Sequence, residues 1–180
     1  AKPDGYTLLA SVVANMVTSP LLMANPSYNP MKDFAPISMV STNPLVLVAS
    51  RSSGITSLAD LIAKAKAKPG EIAIASYGHG TPSHLAIELL KTTAKIDVIH
   101  VPYNGSAAAM IDLRGGRVPV VMDILPSHVQ TIANGDVIGL AIAQKKRSEI
   151  VPSVPTFQEA GLPGFEALTW MALSAPAGTP

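Results

Sequence analysis

The sequence predicts an α/β fold built on a mostly parallel sheet covered on both faces. Strand-like and helix-like segments alternate strictly from Ser57 to Ala143. The strand segments are apolar throughout, as expected where both faces of a sheet are buried. The chain of 180 residues is 48% hydrophobic, 14% charged and 4% aromatic, a composition that gives an aliphatic core and excludes a disordered chain.

Each element follows from a local signal. Tyr6 to Ala10 reads as a short buried strand after an Asp-Gly turn. Ser11 to Pro36 mixes Met, Asn and Pro without clean periodicity, which predicts loops and a short helix near Ser19 to Met23. Ile37–Val40 and Leu45–Ala49 read as two strands split by Asn43-Pro44. Ser57 caps a helix running to Lys68, with Leu58, Leu61, Ile62 and Ala65 at helical spacing and Pro69-Gly70 as its stop. The alternation continues with strand Ile72–Ala75, helix Pro82–Thr93, strand Val98–Val101, helix Ala107–Arg114, strand Val118–Met122, a helix near Pro126–Ala133 and strand Ile138–Ala143. Thr156–Ala160 reads as a short helix closed by Gly161, and Glu166–Ser174 as an extended segment carrying Trp170. Residues 46–168 thus form a complete α/β domain. Residues 1–45 read as the closing part of a second, incomplete domain, and 169–180 as a crossover back towards it. Ala1–Gly5 begin without Met, and Ala175–Pro180 resemble a linker, so the sequence reads as a fragment.

Composition also bounds function. The net charge is +1, and Lys145-Lys146-Arg147 is the one basic cluster, a solvated loop after a strand. Nucleic acid is therefore not an expected partner. No apolar run approaches the roughly 20 residues that span a bilayer, so the chain is not membrane-embedded. With no cysteine, disulfides, thiol catalysis and Cys-based zinc sites are excluded.

The chemistry concentrates in three strand-to-helix turns at the carboxyl edge of the predicted sheet, where open α/β sheets bind ligands. The first is Ser76-Tyr77-Gly78-His79-Gly80-Thr81-Pro82-Ser83-His84. Its glycines permit a tight turn and leave backbone N–H groups uncovered. Thr81 caps the next helix, Pro82 fits its first turn, and the positive helix end suits an anion such as a carboxylate. The second turn is Pro102–Ser106, where Tyr103 and Gly105 line the loop and Ser106 caps a helix. In the third, Asp123–Ser127, Asp123 leaves the strand just before the next helix. Any such fold needs tight turns and caps, so each has an ordinary explanation too; the first exceeds what a cap requires. His79 and His84 lie five apart without a third ligand nearby in sequence, so no metal is expected. His100 reads as a packed or rim histidine and His128 as solvated. Ser76 or Ser83 with His84 suggests nucleophilic catalysis, but no GxSxG elbow is present. Neither phosphate-loop pattern occurs, and no cofactor is implied.

At these residues the sequence resembles a known family. Asp4–Leu9, Lys32–Ile37, the Gly-His-Gly-Thr turn with His84–Ala86, His100–Ser106, Asp112–Gly116, Val154–Thr156, Glu159–Phe165 and Ala175–Pro180 all look like the periplasmic solute-binding proteins of tripartite tricarboxylate transporters, the TctC or Bug family. The resemblance spans essentially the whole chain. It implies a type II, periplasmic-binding-protein-like Venus flytrap, exported by a signal peptide to the periplasm of a Gram-negative bacterium. It would capture a small carboxylate (a di- or tricarboxylate, or an aromatic acid) for cognate membrane permease subunits, with no catalysis. A ligand carboxylate would be held between two loops, one per domain, of which Ser76–Ser83 matches the second. Ser11 falls in a segment matching a cleft-facing loop of the first domain. Asn104 stands where Lys is frequent and Arg114 where Leu is frequent. Asn43–Val48 and Ala167–Ser174 would be the hinge strands. Two other functions stay open on the residues alone: the effector-binding domain of a transcription regulator, although no helix-turn-helix is visible, and a small hydrolase using Ser76 or Ser83.

Overall fold

A computed structural model describes residues 1–180. By its contacts the chain divides into two units, 44–168 and 1–43 with 169–180.

The larger unit is a five-stranded sheet wrapped by helices. The second half of β2 (Phe34–Ser50) is followed by α3 (Leu58–Ala67), β3 (Ala73–Ser76), α4 (Pro82–Ala94), β4 (Ile99–Pro102), α5 (Ser106–Arg114), β5 (Val120–Ile124), α6 (Val129–Ala133) and β6 (Val137–Ile142). The strand order is β6-β2-β5-β3-β4. β3 runs parallel to both β4 and β5, whereas β2 is antiparallel to β5 and β6. The sheet is therefore mostly parallel, with β2 as a single reversed strand. Its two faces are both covered: along β2, Leu45, Leu47 and Ala49 enter one apolar cluster, and Val46 and Val48 enter the other. This period-2 division is what a two-face-buried strand requires.

Caps fix the helix starts. Ser57 Oγ accepts the Asp60 N–H at 3.1 Å, while the Asp60 carboxylate takes the Thr56 N–H at 3.0 Å. That reciprocal arrangement closes two donors that a helix end leaves open. Thr81 caps α4 with Pro82 behind it, both as the sequence predicts.

The smaller unit contains β1 (Leu9–Val12), the short helices α1 (Ser19–Leu22) and α2 (Pro30–Asp33), the first half of β2, and β7 (Leu168–Pro176) from residue 169 onward. β1 pairs antiparallel with β7, Leu9 opposite Ser174 and Val12 opposite Met171.

Several sequence expectations are corrected. The first strand begins at Leu9, not Tyr6, and Tyr6 is 94% exposed. The two strands split at Asn43-Pro44 are one continuous β2. Pairing of β2 with β5 starts at Leu45, so the missing N–H of Pro44 removes no bond from that ladder. Thr156 makes an isolated parallel bridge with Ile142, and 157–160 form a turn, with one Ala160 N–H to Thr156 O bond of 3.0 Å and no helix. Thr156 and Glu159 do form a capping box, at 2.8 and 3.1 Å, but Gly161 at φ +100° turns the chain and the Leu162 N–H closes on Phe157 O at 2.8 Å, so the segment stops after one turn.

Candidate functional site

The three turns named from the sequence are joined by hydrogen bonds at the carboxyl edge of β3, β4 and β5. Tyr103 N–H donates to Ser76 O at 2.9 Å and Gly105 N–H to Tyr77 O at 3.1 Å, which ties the second turn to the first. Ser83 Oγ donates to Met122 O, tying the first to β5. Ser106 Oγ donates to Asp123 Oδ1 at 2.8 Å, tying the second to the third. Twelve of the thirteen candidate residues, Ser76 to Gly80, Thr81, Ser83, His84, Tyr103, Gly105, Ser106 and Asp123, therefore share one edge of the larger unit. The thirteenth, Ser11, lies in the smaller unit on β1 and not in a loop. It is buried, and its hydroxyl donates to Ala172 O at 3.0 Å and lies 2.9 Å from Ser174 Oγ.

Within the first turn the polar groups arrange differently from expectation. The glycine N–H groups are not uncovered: Gly78 donates to Ser76 Oγ at 3.2 Å and Gly80 to His84 Nδ1 at 3.1 Å. Thr81 Oγ1 donates to Gly78 O at 2.7 Å and takes the His84 N–H at 3.5 Å. The N–H groups of His79 and Thr81 find no acceptor in the chain, and Ser83, in the first turn of α4, has no intrahelical acceptor for its own. These donors are the ones the turn leaves for an anion. Gly78, at φ +157°, allows the close approach: a Cβ there would stand 3.1 Å from Thr81 Cγ2.

Ser76, Ser83 and Asp123 are wholly buried, and their polar atoms are bonded inside the protein, so they brace the turns. Asp123 does not leave its strand; it pairs with Val46 across β2. Oδ1 takes the Ile124 N–H at 2.7 Å as well as the Ser106 hydroxyl, and Oδ2 lies 3.0 Å from His128 Nε2. Ser106 is consequently not a cap; the residue preceding α5 is Gly105, at φ +100°. His128 is not solvated but 0% exposed, and its Nδ1 is buried without a partner. Its Nε2 partner Asp123 stands only five residues earlier, at the end of β5, so the pair is local in the sequence.

His100 was missed as a site residue. It sits on β4 with Nε2 2.7 Å from Ser76 Oγ. Its ring stacks on that of His84 at 3.9 Å between centroids and 12° between planes, and His79 lies 4.7 Å from His84. The parallel pairing of Ile74 with His100 brings this third imidazole to the turn, which sequence spacing does not reveal. Burial first, and then the neighbouring His84 and His79, push the His100 pKa down to about 4. Burial and His79 also lower that of His84. Both rings are thus neutral near pH 7, and the Gly80 N–H on Nδ1 places the His84 proton on Nε2.

The three histidines can bring ring nitrogens within 4.8 Å of one another, which overturns the reason for excluding a metal. The arrangement is nevertheless poor for coordination. Stacked rings direct their in-plane lone pairs in parallel instead of towards one point, and a zinc ion with bonds of about 2.0–2.1 Å needs nitrogens that converge. His84 Nδ1 is also engaged by Gly80.

Comparisons place this geometry among known proteins. The model of the tripartite tricarboxylate transporter family receptor matches residues 1–180. Protein BugT of Bordetella pertussis is 42% identical over 179 residues, covering 98% of this chain and 54% of that protein. An R. palustris protein solved with adipate superposes with a TM-score of 0.94 at 35% identity, over 100% of this chain and 60% of that one. MatC from Rhodopseudomonas palustris with bound malate gives a TM-score of 0.89 at 32% identity, over 100% of this chain and 61% of that one. The chain spans about half the length of the curated relatives it matches.

Proposed function

The chain belongs to the tripartite tricarboxylate transporter receptor family, and we propose that it supplies the carboxylate-binding edge of a periplasmic receptor that captures a small carboxylate without transforming it. The observation that carries this reading is the bonding of the first two turns into one cradle beside the start of α4, with the N–H groups of His79, Thr81 and Ser83 left without acceptors. Oriented N–H donors at a helix start hold a carboxylate through charge-assisted bonds. Ser76, Ser83 and Asp123 set the cradle's shape, while Tyr77, His79, His84, Tyr103 and Gly105 border it.

Capture without chemistry is supported at Ser76 and His100, the one serine–histidine pair at the edge. The Ser76 hydroxyl is wholly buried and donates to Gly78 O at 3.1 Å, and His100 makes its one hydrogen bond with that serine. A nucleophile needs access and a base oriented by a third group; neither is present. The solved neighbours carry dicarboxylates, adipate in one and malate in the other. That supports a small carboxylate here, handed on to membrane permease subunits. Residues 1–43 and 169–180 would belong to the receptor's other domain, where the buried Ser11 braces β1 against β7.

A thermal-shift screen of mono-, di- and tricarboxylates on the full-length protein tests the proposal. A true ligand at one hundred times its Kd stabilises by about 2.7 kcal/mol. Flat melting temperatures across all three classes would contradict it.

A further inference from the structure

The imidazole cluster sits beside the cradle but is not explained by it. His79, His84 and His100 come from the turn, the first turn of α4 and β4 respectively. They lie face to face, with centroids 3.9 Å apart for His84 and His100, 4.7 Å for His79 and His84, and 6.3 Å for His79 and His100. Three basic rings at such separations repel one another once charged, so an empty cluster favours neutrality. The two turns that border the cradle, Ser76–His84 and Pro102–Ser106, contain no Lys or Arg. No permanent cation on either turn is therefore available to neutralise a second acidic group of a ligand.

We propose that His79, His84 and His100 form a proton-taking anion subsite, which receives the second acidic group of a di- or tricarboxylate and gains a proton in doing so. The inference rests on the capture reading above. Its chemistry follows from neighbouring charge. An opposite charge within about 4–6 Å of an imidazole favours the protonated form, which offsets both burial and ring repulsion. A protonated ring then offers N–H donors on both nitrogens, where a neutral one offers a single donor. The lowered pKa values of His84 and His100 fit this picture, since burial and the neighbouring rings keep both neutral near pH 7.

The other groups facing the rings do not supply the needed charge. Glu88 Oε1 on α4 is 4.0 Å from His84 Nε2, but Glu88 is already paired with Lys91 at 3.2 Å, so the two largely cancel. From β3 the rings meet the neutral Ser76 hydroxyl, and from the turn the Gly80 N–H. The subsite thereby selects ligands by charge number: a monocarboxylate fills the cradle alone, and a dicarboxylate recruits a proton as well.

Calorimetric titration of the full-length protein with adipate, malate and acetate tests this, at pH 7.5, 6.5 and 5.5 in two buffers of different ionisation enthalpy. At pH 7.5 and 6.5 the ligands are ionised; at pH 5.5 the second carboxyl of a dicarboxylate is partly protonated, so proton uptake is read from the two higher values. For whichever dicarboxylate binds, we expect uptake of about half a proton, equivalent to a roughly threefold tightening per pH unit on acidification. Acetate should show neither effect. In the variant combining His79→Gln, His84→Gln and His100→Gln, dicarboxylate binding should weaken towards that of a monocarboxylate and lose its proton uptake. If that variant fails to fold, His79→Gln alone should reduce the uptake. Dicarboxylate binding with pH-independent affinity and no uptake would overturn the inference while leaving capture intact. Binding abolished by a chelator and restored by zinc would overturn it too, because a metal would then neutralise the anion. Failure of every carboxylate to bind at any pH would overturn the capture reading and this inference with it.

Discussion

Two histidine-bearing corners of one sheet edge show opposite designs. At the β5 corner, Asp123 and His128 are both 0% exposed, 3.0 Å apart, and both Asp123 oxygens are bonded within the protein. At the β3 corner, Ser76 is equally buried, but the rings it helps to hold are partly exposed and several N–H groups lack acceptors. The contrast teaches that polarity at a strand end is not by itself a site. A corner whose polar atoms are buried and, His128 Nδ1 aside, bonded internally is scaffold, and one that retains donors next to solvent is equipped for a ligand.

The largest expected effect falls on the scaffold corner. Asp123→Ala leaves a buried His128 unpaired and removes the acceptor of Ser106 and Ile124. Each buried donor left without its acceptor costs about 1–3 kcal/mol, and several are orphaned at once, measurable by chemical denaturation. A variant as stable as the parent would erase the distinction between the corners.

Next in size is Gly78→Ala. Its Cβ would crowd Thr81 Cγ2 at 3.1 Å, at a φ of +157° that side chains rarely adopt. Strain of about 1–2 kcal/mol is expected, together with weaker ligand binding by calorimetry. Thr81→Ala should follow, at about 1 kcal/mol for a lost cap. Thr81→Ser, which keeps the hydroxyl bonded to Gly78 O and the His84 N–H, should restore most of that loss.

Acid should also separate the corners. His84 and His100 have lowered folded pKa values, His100 about 4 against an ordinary 6.5. Between those limits the unfolded chain binds more protons than the folded one. Stability is therefore lost as pH falls from about 6.5 towards 4. A melting series over that range should show the decline, and replacing both rings with Gln should flatten it. A bound dicarboxylate should oppose the decline, since it favours the protonated rings. The smallest effect belongs to His79→Ala: an exposed ring with no hydrogen bond should change stability by less than about 0.5 kcal/mol.

Local signals made much of this legible. Ser57 and Thr81 announced α3 and α4 because a cap lies next to the helix it starts. The apolar runs of β3 and β5 announced a sheet buried on both faces. What stayed hidden depends on pairing between distant strands. The reversed direction of β2 and the arrival of His100 beside His84 are set by register, which no single segment encodes. Pro44 misled for the related reason that a proline breaks only a strand whose ladder needs its N–H. At Thr156–Ala160 the capping box that the spacing implies is present, but Gly161 and the Leu162 N–H on Phe157 O close the segment after one turn.

The most direct test of the central claim is an amide and histidine NMR titration of the full-length protein with the dicarboxylate that binds most tightly. Capture at the β3 corner predicts shifts concentrated on His79, Thr81, Ser83 and the rings of His84 and His100, with Asp123 and His128 nearly still. Shifts centred on Asp123–His128, or on residues away from the carboxyl edge, would contradict it.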